Sequence, residues 1–326
     1  MVHKGGMALK DWRAWAELLR PMDVAFLAYL SGLGAFLVFF HKGVPRWPWL
    51  VGLHILVMSL VLLFISWAEG EGVRGLYGSS KLSHMVAYRL IHFFRTTYPG
   101  WLYALLYKES GLLIHVIWPG TFDWVFIRMD QMLFLGFHPS VLLGQLGDRW
   151  FWLTEYMSFC YAMYYVLLLI VGLTLYIRRK YSELERMLLQ VGLAFYICFA
   201  LFILFPAEGP RFTLAHLGAN RLHGGVFFSI AQAIVNNEGY PGCAFPSSHV
   251  AVAFVVLMAV RRYEPVMYRI MLPLVVSLFI STVYGGYHYV VDVLAGIGAG
   301  WLGIYFGERI ERWWVRRSLE EEMYAI

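Results

Sequence analysis

The sequence has little charge and little cysteine. Only 14% of its 326 residues are Asp, Glu, Lys or Arg, whereas 60% are hydrophobic. So low a charged fraction excludes an ordinary soluble domain and indicates an integral membrane protein. The sequence has three cysteines, and Cys160 and Cys198 lie inside apolar segments. This excludes a disulfide framework and leaves no zinc-ligand spacing, so we expect neither a structural metal nor a cofactor.

We expect neither a cleavable leader nor a nucleic-acid-binding surface. The N-terminal segment before the first apolar segment is long and amphipathic, and it has no small-residue cleavage site. Its basic and aromatic residues are Lys4, Lys10, Arg13, Trp15 and Arg20. The net charge is +5, but the basic residues are scattered at the ends of apolar segments and form no continuous patch. We therefore attribute them to membrane topology and expect no nucleic-acid partner.

Apolar segments long enough to cross a bilayer core of ~30 Å recur along the chain. They lie at residues 24–40, 50–67, 151–177, 188–205, 269–284 and 289–307. A shorter one begins near Ser248 and stops at Arg261 and Arg262. Another, over 98–118, is interrupted by Lys108 and Glu109, whose charges are costly at mid-depth in a membrane. Whether 98–118 crosses the bilayer decides between seven and eight spans.

The distribution of lysine and arginine favours eight spans. With eight, 19 of the 26 basic residues fall on the side of both termini and 6 on the other, whereas with seven each side receives 13. Basic residues are enriched in cytoplasmic loops, so we expect both termini in the cytoplasm. The loop 206–248 and the helix ends beside it then lie on the extracytoplasmic face, periplasmic or lumenal.

We therefore predict an all-α, polytopic membrane protein with about eight transmembrane helices. Residues 1–120 are predicted to form N-terminal membrane helices, with a flexible cytoplasmic connector over 68–97. Residues 121–310 form a catalytic transmembrane domain and 311–326 a cytoplasmic tail. Aromatic, apolar and charged residues alternate over 122–137, which predicts an interfacial helix.

The first polar group that could carry chemistry follows the 188–205 span. It reads Phe205-Pro206-Ala207-Glu208-Gly209-Pro210-Arg211. The prolines and the glycine end the helix at the membrane surface and hold Arg211 there. A guanidinium in that place can bind two phosphate oxygens at once. Taken alone, an interfacial arginine in contact with lipid headgroups is the commoner case.

The second group is the turn-rich entry into an apolar helix, Gly239 to His249. Its end reads Phe245-Pro246-Ser247-Ser248-His249. Serine is a favoured helix cap, and the first-turn amides together with the helix dipole form an anion site. Ser247 and Ser248 are candidate phosphate-binding residues, although capping alone also explains them. Taken alone, His249 is more commonly an interfacial histidine satisfied by water, but a second histidine and an aspartate downstream make a reaction centre plausible.

The third group contains a second histidine and a carboxylate. Gly285 and Gly286 break a helix before His288, and Asp292 follows four residues later, so that on a helix both side chains share one face. An aspartate inside an apolar segment is costly unless it is paired. A carboxylate that accepts one ring N–H makes the other ring nitrogen more basic, which activates a histidine as a nucleophile. His288 and Asp292 are therefore candidate catalytic residues.

Together the three groups resemble the three motifs of the type 2 phosphatidic acid phosphatase superfamily, K-x6-R-P, P-S-G-H and S-R-x5-H-x3-D. The resemblance is close over about 205–300, and the spacing from Ser281 through His288 to Asp292 matches the third motif. It implies a six-helix catalytic core. The sequence departs from the motifs where Leu204 replaces the lysine, Ser248 the glycine and Thr282 the arginine.

These departures make the sequence similar to the branch that contains inositol phosphorylceramide synthases and sphingomyelin synthases. Those enzymes keep two histidines and the aspartate but transfer a phospho-headgroup between lipids. The segment Asp130 to Pro139 also resembles the Asp-x-x-Leu-Phe-Gly-x-x-Pro element of the first of these groups, which extends the resemblance to most of 120–310. This element is expected to be structural.

The resemblance implies a double displacement without metal. His288, polarised by Asp292, attacks a phospholipid donor, His249 protonates the leaving oxygen, and the phosphohistidine passes to a lipid hydroxyl acceptor. Arg211, Ser247 and Ser248 would bind the phosphoryl oxygens. One alternative is a phosphatase for phosphatidate or a polyprenyl diphosphate, with water as acceptor. Another is a transporter or metal-binding membrane protein in which His249, His288 and Asp292 hold an ion.

Overall fold

The computed structural model describes residues 18–219 and 221–324. The N-terminal segment that contains Lys4, Lys10, Arg13 and Trp15 lies outside these ranges. Within them the chain is helical apart from its connections and an isolated β-bridge between Ala207 and Cys243. The predicted all-α class is therefore confirmed.

Eleven longer helices, α1 to α11, account for most of the described residues. In chain order they are Pro21–Phe39, Trp47–Ala68, Leu82–Leu113, Asp123–Leu133, Pro139–Arg149, Phe151–Ile177, Tyr181–Leu204, Val226–Glu238, Ser248–Tyr263, Pro265–Tyr284 and Val290–Tyr324. Four shorter helical segments, His41–Gly43, Glu71–Arg74, Pro210–Thr213 and Ala215–Leu217, lie between them.

Six of these helices are long and apolar enough to cross a membrane. They are α1, α2, α6, α7, α10 and the Val290–Arg316 part of α11. Each overlaps one of the apolar segments predicted from the sequence, so the prediction of a multi-pass membrane protein is confirmed. The six do not include α3 or α9. Helix α9 has 16 residues, which at 1.5 Å per residue gives a length of about 24 Å.

Two predicted boundaries differ from the structure. The prediction of a flexible connector over 68–97 is wrong for its second half, because α3 begins at Leu82 and continues to Leu113. Apart from Ser83, its glycines and serines end at Ser80, and no glycine or proline interrupts residues 81–98. Helix α7 begins at Tyr181, before the predicted 188. Charged residues such as Glu183 and Arg186 extend that helix beyond its apolar segment.

The chain divides into two compact units, residues 1–100 and 101–326. The first contains a buried ion pair, in which Arg95 donates to both carboxylate oxygens of Asp23 at 3.0 and 2.7 Å. Tyr98 donates to the same carboxylate at 2.6 Å. These contacts offset the cost of burying the charges among apolar helices.

The second unit is built around α7, α9 and α11. Two glycines of α11 allow close approach of these helices. An added Cβ would lie 2.6 Å from the Ala251 carbonyl oxygen at Gly300 and 2.7 Å from the Gln190 carbonyl oxygen at Gly303. Real side chains do not tolerate such distances, so any larger residue must separate the helices.

The residues of all three sequence motifs lie at one end of this unit. Helix α7 ends at Leu204, and α9 and α11 begin at Ser248 and Val290. A small buried cluster lies beneath these ends and packs Phe126 and Ala207 with Ala244 and Tyr289. The fold therefore brings together segments that are far apart in sequence.

Candidate active site

His249 and His288 face each other at the centre of this end. Their ring centroids are 5.9 Å apart, with an angle of 61° between the ring planes. His288 is 5% exposed, and it follows a turn closed by the Thr282 carbonyl oxygen, which accepts from the amides of Tyr287 and His288 at 3.0 and 3.1 Å. The structure thus brings together the two histidines predicted from separate motifs.

The His288 ring is oriented by a backbone carbonyl. Its Nδ1 atom lies 2.8 Å from the Ala244 carbonyl oxygen. A carbonyl oxygen only accepts, so Nδ1 carries the proton and Nε2 has a free lone pair. The segment that leads into α9 therefore sets the tautomer of the histidine that precedes α11.

Asp292 lies next to His288 but is a more distant partner than expected. Its Oδ2 atom is 3.5 Å from His288 Nδ1, and it accepts from the Tyr289 amide at 2.8 Å. Asp292 is fully buried, and its backbone oxygen accepts from the Ser247 amide at 3.0 Å. The carboxylate therefore caps the start of α11 and places a negative charge beside the ring.

His249 lies among tyrosines from α6. Its Nε2 atom is 3.3 Å from the Tyr161 hydroxyl and 3.4 Å from the Tyr165 hydroxyl. The ring of Tyr164 lies 4.4 Å from that of His249, between centroids. Sequence reasoning missed these tyrosines, whose spacing of three and four residues on a helix was the available signal.

Arg211 is held by its backbone against the turn that precedes His288. Its amide donates to the Gly286 carbonyl oxygen at 2.7 Å. Gly209 has a φ of 94°, and a Cβ there would lie 2.6 Å from the Tyr287 carbonyl oxygen. Only glycine fits this turn without strain. Partial burial lowers the pKa of Arg211 from its ordinary value, but a guanidinium titrates so far above neutrality that it stays charged.

A cavity of about 470 Å³ opens beside Arg211. Its other lining residues are Phe212, Leu222, Phe228, Gln232, Asn236, Gly285 and Tyr287. The Gln232 amide group donates to the Tyr287 hydroxyl at 3.3 Å, and burial raises the pKa of that hydroxyl. The cavity therefore combines one cation and two carboxamides with apolar walls.

Ser247 and Ser248 lie at the start of α9, and both are buried. The Ser247 hydroxyl accepts from the Val250 amide at 3.4 Å, as an N-cap does. The first intrahelical bond runs from the Ala251 amide to the Ser247 carbonyl oxygen at 3.0 Å. The amides of Ser248 and His249 precede it, at the position where helix N-termini bind anions.

Thr282 replaces the arginine of the third motif, but its side chain is not placed to bind phosphate oxygens. Its hydroxyl donates to the Phe279 carbonyl oxygen at 2.8 Å, and the side chain is buried. Its contribution to the site is the backbone carbonyl that closes the turn before His288. Arg211 is the cation that the structure places at the motif residues.

Three buried carboxylates hold segments next to the site, and each accepts hydrogen bonds from backbone amides. Asp130 accepts from Val290 and Val291 at 3.0 Å. Glu155 caps α8 by accepting from Gly225, Phe227 and Phe228 at 2.8 to 3.1 Å. Asp123 accepts from Glu208 and Gly209. The structural role expected of the Asp130 segment agrees with these contacts.

Sequence reasoning missed Asp123 and Glu155 altogether. For Glu155 the available signal was a carboxylate within an apolar helix, the same signal that identified Asp292. Asp123 is the first residue of α4, which contains further charged residues, and it carries no such signal. In the described part of the chain there is no cluster of three or more His, Cys, Asp or Glu side chains arranged to hold a metal ion. The three cysteines are buried and unpaired.

Comparison with known proteins identifies the family of this unit. The family model described as the PAP2 superfamily matches residues 124–306, more than half of the chain. A PA-phosphatase related-family protein of Dictyostelium discoideum is 24% identical over 214 residues, which cover 59% of this chain and 37% of that protein. The chain thus spans little more than a third of that relative's length. No solved structure matches it at a significant level.

Proposed function

The chain belongs to the PAP2 superfamily, and from this premise and the geometry of the site we propose that it is a membrane lipid phosphotransferase. The proposed reaction moves a phospho-headgroup from a glycerophospholipid to a lipid hydroxyl through a phosphohistidine. The observation that carries the proposal is the pair His249 and His288, 5.9 Å apart between ring centroids, beside the Arg211 turn.

In the first step, the Nε2 lone pair of His288 attacks phosphorus. A P–N bond forms as the bond from phosphorus to the diacylglycerol oxygen breaks, and His249 donates a proton to that oxygen. The contact between His288 Nδ1 and the Ala244 carbonyl supports this role, since it leaves Nε2 unprotonated. The buried charge of Asp292 stabilises the ring as its positive charge develops.

In the second step, His249 takes the proton of the acceptor hydroxyl. The acceptor oxygen then attacks phosphorus, the P–N bond breaks and the electron pair returns to His288. Among the described residues, His249 Nδ1 has no hydrogen-bond partner. Nδ1 is buried, and in the proposal a bound substrate is its proton-exchange partner while Nε2 contacts the tyrosines.

The negative charge on the phosphoryl oxygens requires donors on the opposite side. Arg211 supplies a guanidinium, and the start of α9 supplies the amides of Ser248 and His249. Ser247 contributes by capping that helix and so aligns these amides. No metal is invoked, because a cation and two amides suffice for this anion.

The arrangement of charge also supports an extracytoplasmic active site. The opposite end of the same unit carries Arg178, Arg179, Lys180, Arg186, Arg261 and Arg262, of which Arg178 and Lys180 both pair with Glu264. The site end contains only Arg211 and Arg221 between α7 and α9. By the positive-inside rule the basic end is cytoplasmic, as are both termini.

A second candidate is a lipid phosphatase, in which water replaces the acceptor. The name of the Dictyostelium discoideum relative, a PA-phosphatase related-family protein, favours it. Two departures from the motifs favour transfer instead. Thr282 is bonded to a backbone carbonyl where phosphatases of the superfamily carry an arginine, and Ser248 replaces glycine beside His249.

An assay with paired donors and acceptors tests the proposal. The protein, in vesicles, is given labelled phosphatidylinositol, phosphatidylethanolamine or phosphatidate, each with and without ceramide or diacylglycerol. Transfer predicts a new labelled lipid that requires the acceptor and is absent in His288→Ala. Release of phosphate without an acceptor identifies the phosphatase instead, and undiminished turnover in His288→Ala refutes the proposed nucleophile.

A further inference from the structure

Asp123 is a buried carboxylate that the proposed chemical steps do not use. It is 4% exposed and lies at the first residue of α4. Its Oδ1 atom accepts from the Gly209 amide at 2.9 Å, and its Oδ2 atom accepts from the Glu208 amide at 3.0 Å. Both donors belong to the turn that ends in Arg211. The chain on either side is also joined, since the Phe122 amide donates to the Pro206 carbonyl oxygen at 2.7 Å.

The same carboxylate reaches the histidine segment through a tyrosine. The Tyr289 hydroxyl donates to Asp123 Oδ1 at 2.8 Å, and it lies 2.7 Å from the Thr213 hydroxyl. Tyr289 is 1% exposed and is the residue directly after His288. One buried carboxylate therefore contacts the backbone before Arg211 and the side chain after His288.

We infer that Asp123 is a positioning residue, which fixes Arg211 relative to His288 through the Glu208 and Gly209 amides and the Tyr289 hydroxyl. The inference rests on the proposed function for its catalytic readout. Without Asp123, the turn and the histidine segment still touch at the Arg211 amide and the Gly286 carbonyl oxygen. Asp123 adds hydrogen bonds to both segments and so restricts their rotation relative to each other.

The first experiment measures kcat and KM for Asp123→Asn in the wild-type protein and in Arg211→Ala. We expect kcat to fall by about 10- to 100-fold in the wild type, the range for misplacement of a catalytic group by ~1 Å. We expect a fall of less than about 2-fold in Arg211→Ala, since a residue that acts through Arg211 has nothing left to position. KM should change little in either protein. An equal fall of kcat in both backgrounds overturns the inference.

The second experiment needs no activity. Cys243 is buried, burial raises the pKa of its thiol, and its segment is joined to the Arg211 turn by the Ala207 amide, which donates to the Gly242 carbonyl oxygen at 3.0 Å. Maleimide labelling of Cys243, quantified by mass spectrometry of its peptide, therefore reports opening of the turn. We expect labelling about 10-fold faster in Asp123→Asn and in Tyr289→Phe, because each loses hydrogen bonds to a charged group. An unchanged rate in both variants overturns the inference.

Tyr103→Phe is the matched control for Tyr289→Phe. The Tyr103 hydroxyl is also buried and donates to a backbone oxygen, that of Leu188, at 2.9 Å. Its loss should leave both kcat and the labelling rate of Cys243 unchanged. If the wild type turns over none of the lipids, the proposed function fails, and the labelling rates still decide whether Asp123 holds the turn.

Discussion

The Nδ1 atom of His288 lies 2.8 Å from the carbonyl oxygen of Ala244. This contact joins the proposed nucleophile to the segment that leads into the helix of the proposed acid, His249. The tautomer of one histidine thus depends on the backbone next to the other. The carboxylate of Asp292, at 3.5 Å from the same nitrogen, adds charge more than orientation.

Asp292→Asn should therefore be less damaging than loss of the nucleophile. An asparagine oxygen can still accept from the Tyr289 amide, and Ala244 still holds the His288 tautomer. We expect kcat to fall by about 10- to 100-fold, as the loss of one electrostatic stabiliser does, against at least ~10⁴-fold for His288→Ala. Initial rates of the two variants on the best donor test this. Equal losses would show that the carboxylate itself sets the tautomer.

The role of His249 predicts a dependence on the leaving group. His249→Ala should lower kcat on a phospholipid by about 10²- to 10⁴-fold, the range for general acid catalysis. A p-nitrophenyl phosphodiester needs no proton on its departing oxygen, so the first step should be nearly normal with this substrate. Rapid-mixing measurement of the nitrophenolate burst checks it. A burst as slow as phospholipid cleavage would assign His249 another role.

Gly209→Ala should inactivate the protein without unfolding it. The residue has a φ of 94°, and the new Cβ would meet the Tyr287 carbonyl oxygen at 2.6 Å. The turn must shift, and Arg211 shifts with it, so we expect about a 100-fold loss of kcat. Gly72→Ala is the control, because no atom lies within 4 Å of a Cβ at that position. Turnover and size-exclusion profiles of both variants measure the effect.

Glu155→Gln should lower stability. Glu155 is 9% exposed and accepts from three amides at the start of α8. Charge-assisted bonds are stronger than neutral ones, so we expect the melting temperature in detergent to fall by about 2–8 °C. Glu183→Gln is the matched control, because the hydrogen bond from Ser182 to Glu183 is exposed. An equally large fall of the melting temperature in Glu183→Gln would show that the cap at Glu155 contributes no more to stability than an exposed hydrogen bond.

The membrane helices and the pair of histidines could be predicted from the sequence because both depend on local patterns. Apolar length identifies a span, and the spacing of His288 and Asp292 is a property of one segment. The start of α3 at Leu82 was missed, because histidines and arginines such as His84 and Arg89 interrupt its apolar residues. Hydropathy does not respond to such a segment.

The contacts of the supporting carboxylates could not be predicted, because their partners are backbone amides far away in the chain. Asp123 accepts from Glu208, which is 85 residues distant, and nothing in the sequence near either residue marks the other. The same holds for Ala244, whose contribution to His288 is a carbonyl that every residue type carries. Contacts of this kind follow from the packing of the fold.

The glycines of α11 that let the helix approach α7 and α9 have a consequence for genetics. Gly300 and Gly303 contact no catalytic group. A larger side chain at either position nevertheless separates α11 from α9 or from α7, and the sequence motifs lie at the ends of these three helices. A random-mutagenesis screen scored by the activity of the protein would return null alleles at both positions beside those at His249 and His288. Only the amount of folded protein in the membrane would distinguish the two kinds of allele.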